Sequence, residues 1–242
     1  QIAMKIIVAG ATGLVGSEII RQCLDNNAVT EVIALARNPI QIDENTNSSK
    51  LKILLIEDYG HYPDHIKAEF VGADACIWTV AVTPFRSGNF DFDEVKRVCQ
   101  SCTMTGLQAM YEAQQGRPFR FMYLSAEGTP DDTTKKPIFM GDYQIMRRET
   151  ELQVREFSKN HTNIETCIAR PGVVTNSKTW GRAALASMLQ VTNYFWRFIP
   201  NVSRRELAAA VLSQVLHGFN GEMLSNEDLG RIGQELLRAK ES

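Results

Sequence analysis

Apolar runs alternate with amphipathic stretches along most of this chain. Ile6–Ala9, Glu31–Ala36, Lys52–Ile56, Ala75–Val80, Phe119–Leu124 and Ile164–Ala169 are short and nearly continuous in apolar character, and each reads as a strand. Helical patterns lie at Ser17–Asn26, Phe92–Glu112 and Tyr143–Lys159. Strands joined by helices predict parallel pairing. Strands without a polar face predict a sheet covered on both sides. The expected fold is therefore α/β, with a doubly wound parallel sheet. The C-terminal third departs from simple alternation. It holds the aromatics Tyr194, Phe195, Trp196 and Phe198, then Ser203-Arg204-Arg205-Glu206, which reads as a capping box opening a helix.

The first strand runs straight into Gly10-Ala11-Thr12-Gly13-Leu14-Val15-Gly16, and that turn runs into a helix. This order suits a phosphate-binding strand–turn–helix. Gly10 can adopt a backbone conformation that a Cβ would obstruct. Gly13 removes a side chain where a diphosphate must come close, and Gly16 lets the helix lie tight on the strand. Free N–H groups at the helix start then face the anion, aided by the helix dipole. Thr12, Leu14 and Val15 complete the expected cradle.

Which dinucleotide the turn would take depends on the end of the second strand. A site that prefers NAD(H) places a carboxylate there for the ribose 2′-hydroxyl. This chain has Ala36-Arg37-Asn38 instead. Arg37 offers a planar cation for a 2′-phosphate, so NADP(H) is the expected cofactor over NAD(H). Asp58, after the third strand, is the candidate partner for the adenine amino group.

Composition narrows the remaining classes. The chain has 242 residues, 44% hydrophobic and 22% charged, with a net charge of -2. That length suits one domain over 1–242, with residues from about 177 onward forming the substrate side. The charge gives no reason to expect nucleic acid. No apolar run could span a bilayer, and no secretory h-region opens the chain. Met4 reads as the natural start. Five scattered cysteines fit a reduced, cytoplasmic setting. Cys99 and Cys102 form a C-x-x-C within a helical pattern and read as small helix-face residues. His61 and His65 flank Pro63, which argues against a shared helix face, so no metal site is expected.

Together with the glycine turn, Leu35-Ala36-Arg37-Asn38-Pro39, Tyr123-Leu124-Ser125-Ala126 and Arg170-Pro171-Gly172-Val173-Val174 resemble the atypical short-chain dehydrogenase/reductases, in their NmrA-like and Tat-interacting-protein-like branch. The resemblance covers most of the chain and is weakest after Ser177. It implies a Rossmann-type fold with a small C-terminal segment covering the substrate. It also implies an NADP(H)-dependent oxidoreductase for a small carbonyl or alcohol. Tyr143 would be the acid/base, Ser125 an orienting donor, and Arg147 the ribose and charge partner. Pro171, Gly172 and Val173 would line the nicotinamide pocket. Two positions depart from the pattern. Arg147 stands where lysine is usual, and Ala126 where a second serine is usual, leaving Ser125 or Thr129 to substitute. These departures keep open a cofactor-binding regulator without turnover, or a redox-neutral isomerase or cyclase. Arg147 could alternatively pair with Glu151 one turn along the helix surface. The aromatics after Tyr194 could wall the substrate cavity, belong to helix core, or form a homodimer contact.

Overall fold

The computed structural model describes residues 3–40, 48–83, 87, 90–132, 134, 136–137, 140–175 and 200–241. The aromatics Tyr194, Phe195, Trp196 and Phe198 lie outside these residues, as does most of the polar stretch Asp43–Ser49.

The elements follow in the order β1 (Met4–Ala9), α1 (Leu14–Leu24), β2 (Val29–Ala36), β3 (Leu51–Leu55), α2 (Asp64–Phe70) and β4 (Ala75–Trp78). Then come α3 (Phe92–Lys96), a π-turn (Arg97–Ser101) and α4 (Cys102–Ala113), which together form the long helix expected over Phe92–Glu112. The chain continues through β5 (Phe119–Leu124), α5 (Gly141–Asn160), β6 (Ile164–Ala169), β7 (Val173–Thr175), β8 (Asn201–Ser203), α6 (Arg204–His217), β9 (Met223–Leu224) and α7 (Asn226–Glu241).

The main sheet has the order β3-β2-β1-β4-β5-β6-β9, and every pair is parallel. Alternate residues of β1 explain the two layers. Ile6 and Val8 pack with Ile19 and Cys23 of α1 and Leu207 and Val211 of α6. Ile7 and Ala9 face the opposite layer, with Phe70 of α2, Leu107 and Met110 of α4, and Val154 of α5. Both faces are therefore covered, as the unbroken apolar strands predict. β7 and β8 form a separate two-stranded parallel sheet. The strand order reverses between β1 and β4, and in such sheets ligands bind beyond the strands' carboxyl ends at this switch point.

Local chemistry sets the boundaries. The expected capping box opens α6: Glu206 N–H donates to Ser203 Oγ, and Ser203 N–H donates to the Glu206 carboxylate. Pro63 does not interrupt a helix; it caps α2, leaving His61 in the loop and His65 inside the helix. Among the described residues all five cysteines are free. Cys99 Sγ accepts from Val82 N–H, whereas Cys102 Sγ faces Asp58. The π-turn, which adds a residue to the helical repeat, helps the two thiols face different neighbours. No described helix is long and apolar enough to cross a membrane.

Candidate functional site at the carboxyl ends of the strands

The glycine turn lies beside the switch point. Gly10 has φ +84°, and a Cβ there would sit 2.4 Å from Thr79 Oγ1. That hydroxyl is fixed because it donates to Ala9 O at 2.8 Å. A Cβ on Gly16 would lie 2.3 Å from Gly10 O, and one on Gly13 would lie 3.1 Å from the same oxygen. Gly16 thus allows α1 to rest directly on the turn. Gly13 caps α1 without a side-chain bond, and the first turn carries no acidic residue. Thr12, Gly13 and Leu14 are exposed, Val15 partly so. The amides at the start of α1 lack intrahelical partners by helix geometry, and no carboxylate of the helix's own first turn competes for them. A dinucleotide diphosphate fits the exposed amides of this turn, whose shape Cβ atoms at Gly10 and Gly16 would disrupt by running into Thr79 and the backbone of Gly10.

On the β2 side of the switch point, Arg37 is exposed immediately after the strand and has no ion-pair partner among the described residues. Asp58 is engaged. Arg97 Nη1 donates to Asp58 Oδ1 at 3.0 Å, and Nη2 lies 2.8 Å from Oδ2. Gly60 N–H donates to the same carboxylate. The Arg97 guanidinium holds the Asp58 carboxyl below the usual carboxylate range. Arg97 also forks onto Glu94.

At the opposite end, Ser125 follows β5. Its N–H donates to Ala169 O, while its buried Oγ has no hydrogen-bond partner among the described residues. Thr129 Oγ1 donates to Ala126 O at 2.7 Å. Tyr143 lies in the first turn of α5 and is 6% exposed; its hydroxyl donates to Val82 O at 2.9 Å. Burial pushes the Tyr143 phenol up, and the Arg147 guanidinium opposes that shift.

Arg147 is 2% exposed. It makes no surface pair with Glu151. Its Nη2 donates to Leu124 O at 2.5 Å, and its guanidinium lies 5.1 Å from the centre of the Tyr123 ring. Its Nε and Nη1 make no hydrogen bond within ordinary limits among the described residues, although the Cys99 thiol lies beside the guanidinium. Burial opposes this charge, but Tyr123, Tyr143, Cys99 and Glu151 around it outweigh that effect and raise its pKa. Glu151, fully buried, instead pairs with Arg148 at 3.2 Å and accepts from Arg170 Nε and Nη2 at 2.9 and 2.6 Å. Arg170 reaches Asp131 as well, tying the loop after β5 to the end of β6.

The Pro171-Gly172-Val173 segment meets protein on at least one side. Pro171 O accepts from Glu127 N–H, and Gly172 N–H donates to Asn226 Oδ1, both at 2.8 Å. A Cβ on Gly172 would fall 2.0 Å from Pro200 O, so the close approach of Pro200 by itself requires glycine there. Sequence reasoning missed Arg97, Cys99, the Val82 carbonyl and Tyr59 as neighbours of the site. Arg97, Val82 and Tyr59 carry no motif, the C-x-x-C of Cys99 points to no such neighbour, and each meets the site through a long-range contact.

Comparison with known proteins agrees with this geometry. A family model described as NAD(P)H-binding matches residues 10–217. The leucinostatins biosynthesis cluster protein T of Purpureocillium lilacinum is 27% identical over 170 residues, covering 67% of this chain and 56% of that protein. The chain thus spans little more than half the length of this relative. The UPF0659 protein YMR090W of Saccharomyces cerevisiae is 22% identical over 221 residues, 88% of each chain. Among solved structures, the PhqB reductase domain of Penicillium fellutanum superposes with TM-score 0.70 at 20% identity, covering 93% of this chain and 67% of that one. The dTDP-glucose 4,6-dehydratase DesIV of Streptomyces venezuelae, solved with NAD, gives TM-score 0.67 at 17% identity, covering 99% and 82%. The family match starts at the first glycine of the turn and runs to the last residue of α6: this chain belongs to the NAD(P)H-binding family and has a Rossmann-type parallel α/β fold.

Proposed function

We propose that this chain is an NADP(H)-dependent oxidoreductase acting on a small, fairly apolar carbonyl or alcohol in a cytoplasmic setting. The carrying observation is the uncapped start of α1 above a glycine turn with no room for side chains at Gly10 and Gly16. Thr12, Gly13, Leu14 and Val15 would hold the diphosphate, and Arg37 would meet the 2′-phosphate. The bound nicotinamide would supply hydride to, or take it from, the substrate carbon. Tyr143 is the acid/base in this reading. Its upward-shifted phenol stays protonated near neutrality, which suits donation to a substrate oxygen. To donate, it must release Val82 O. Ser125 Oγ, buried and without a hydrogen-bond partner among the described residues, is the orienting donor in this reading. Arg147 favours the phenolate from below the strand ends, and its burial leaves ribose contact to other groups.

A second reading is a cofactor-binding regulator. The engagement of Tyr143 with Val82 O and the burial of Arg147 favour it. One set of experiments separates the two. NADPH should bind more tightly than NADH, and Arg37→Ala should erase the difference. Nicotinamide absorbance over a panel of aldehydes and ketones should show turnover that Tyr143→Phe abolishes. Equal binding of both dinucleotides would overturn the NADP(H) assignment. A silent panel with intact binding would favour the regulator, and substrate conversion without net cofactor consumption would indicate redox-neutral chemistry.

A further inference from the structure

We infer that Tyr59 is the positioning residue of the diphosphate cradle: its hydroxyl inserts between β2 and the glycine turn and holds that turn ready for a dinucleotide. The inference rests on the cofactor reading above and deepens it. Tyr59 lies in the loop after β3, far from the turn in sequence, yet is 6% exposed. Its hydroxyl donates to Leu35 O at 2.9 Å and accepts from Gly10 N–H at 3.1 Å. The same Leu35 carbonyl accepts from Gly10 N–H and Ala11 N–H, both at 3.2 Å. Both backbone contacts are long, and the phenol adds a shorter bond to that carbonyl. The ring is held edge-on to Trp78, 5.7 Å between centroids.

The neighbouring residue anchors the loop on its other side. Asp58 is gripped by Arg97 at the start of the π-turn, and its carboxylate also accepts from Gly60 N–H. The loop from Glu57 to Tyr62 is thus held at the turn and at the long helix together. Gly10 has φ +84° and forms the bend from which α1 departs, since Gly13 N–H donates to Gly10 O at 2.9 Å. Fixing Gly10 therefore fixes where the amides of Leu14 and Val15 point. Pre-setting binding groups lowers the ordering cost of association.

The diphosphate is common to both nicotinamide dinucleotides, which gives the test its discrimination. Fluorescence titration of Tyr59→Phe with NADPH and with NADH should weaken both by a similar factor, roughly five- to tenfold, the value of one neutral hydrogen bond. Arg37→Ala, by contrast, should weaken NADPH selectively. Unchanged affinity in folded Tyr59→Phe, or a loss confined to one dinucleotide, would overturn the role of Tyr59. Failure of the unsubstituted protein to bind either dinucleotide would overturn the cofactor reading itself, so the two failures are distinguishable.

If Tyr59→Phe does not fold, a fluorinated tyrosine at position 59 keeps the ring and brings ionisation within reach. The native phenol is pushed up to about 12 by burial, with Arg37 on β2's exit opposing the shift and Cys76 on β4 adding to it. Tyr62 is the nearby phenol on its own loop. Once ionised, a fluorinated phenol cannot donate to Leu35 O. Its affinity for both dinucleotides should then fall with rising pH relative to the unsubstituted protein, and identical pH profiles would refute the inference.

Discussion

Gly16→Ala tests the packing of α1 on the turn. The added methyl would lie 2.3 Å from Gly10 O, 2.9 Å from Gly10 C and 3.2 Å from Ala11 Cα. All three contacts are backbone, so no side-chain rotation relieves them. To reach ordinary carbon contact distance the helix must retreat by about 1 Å or the turn must open. Overpacking of this kind costs about 1–3 kcal/mol. In a chain of this size that lowers Tm by about 2–4 °C per kcal/mol. The retreat also carries the amides of Leu14 and Val15 away from the proposed diphosphate position, so on the proposed function affinity should fall together with stability. Gly230→Ala is the control. Gly230 lies within α7, has ordinary φ, and a Cβ there meets nothing within 4 Å. It should raise stability by about 0.5–1 kcal/mol, the usual gain for alanine over glycine in a helix, and leave binding unchanged. Thermal unfolding and dinucleotide titration on both variants read the outcome. Gly16→Ala with native Tm and native affinity would refute the close-packing argument.

Two further outcomes follow from the ion pairs. Glu151→Ala strands Arg170 and Arg148 near a fully buried site, so chemical denaturation should show a loss of about 3–5 kcal/mol; a change under 1 kcal/mol would contradict the network. Asp58, whose pKa Arg97 lowers in the folded state, contributes stability present above the ordinary aspartate range and lost as pH falls through the folded value. Asp58→Asn should therefore flatten the acid side of the stability curve below about pH 4, modestly because the pair is partly exposed; an unchanged acid limb would count against it.

The extent to which the sequence reveals this fold varies by element. β5 and β6 run over the same residues that the apolar pattern marks, because both faces of these strands are covered and the signal ends abruptly. The capping box before α6 is equally legible, because both partners lie within one turn. β7, β8 and β9 are two or three residues long and have no periodicity to read. In the candidate site the glycine turn is local chemistry and stands in the sequence. The fate of Arg147 does not. Its spacing to Glu151 suits a helix-surface pair, but Arg148 takes that carboxylate from one side and Arg170 from another. Arg147 then turns inward to Leu124 O and Tyr123. Spacing on a helix names neighbours; the packing of the next layer chooses among them. Asp58 illustrates the same limit, since its partner Arg97 lies 39 residues away.

The far edge of the sheet carries a kinetic consequence. β9 joins β6 through only two register pairs, Ile168 with Met223 and Ala169 with Leu224. Its partner strand is separated from it by the whole of β7, β8 and α6. Such a closure must wait for a long loop to be drawn in before its few bonds repay the entropy. Under strain the edge is the natural first place to unzip, and amides of Ile168 and Arg170, which donate to Glu222 O and Leu224 O, are the ones whose deuterium uptake would report it.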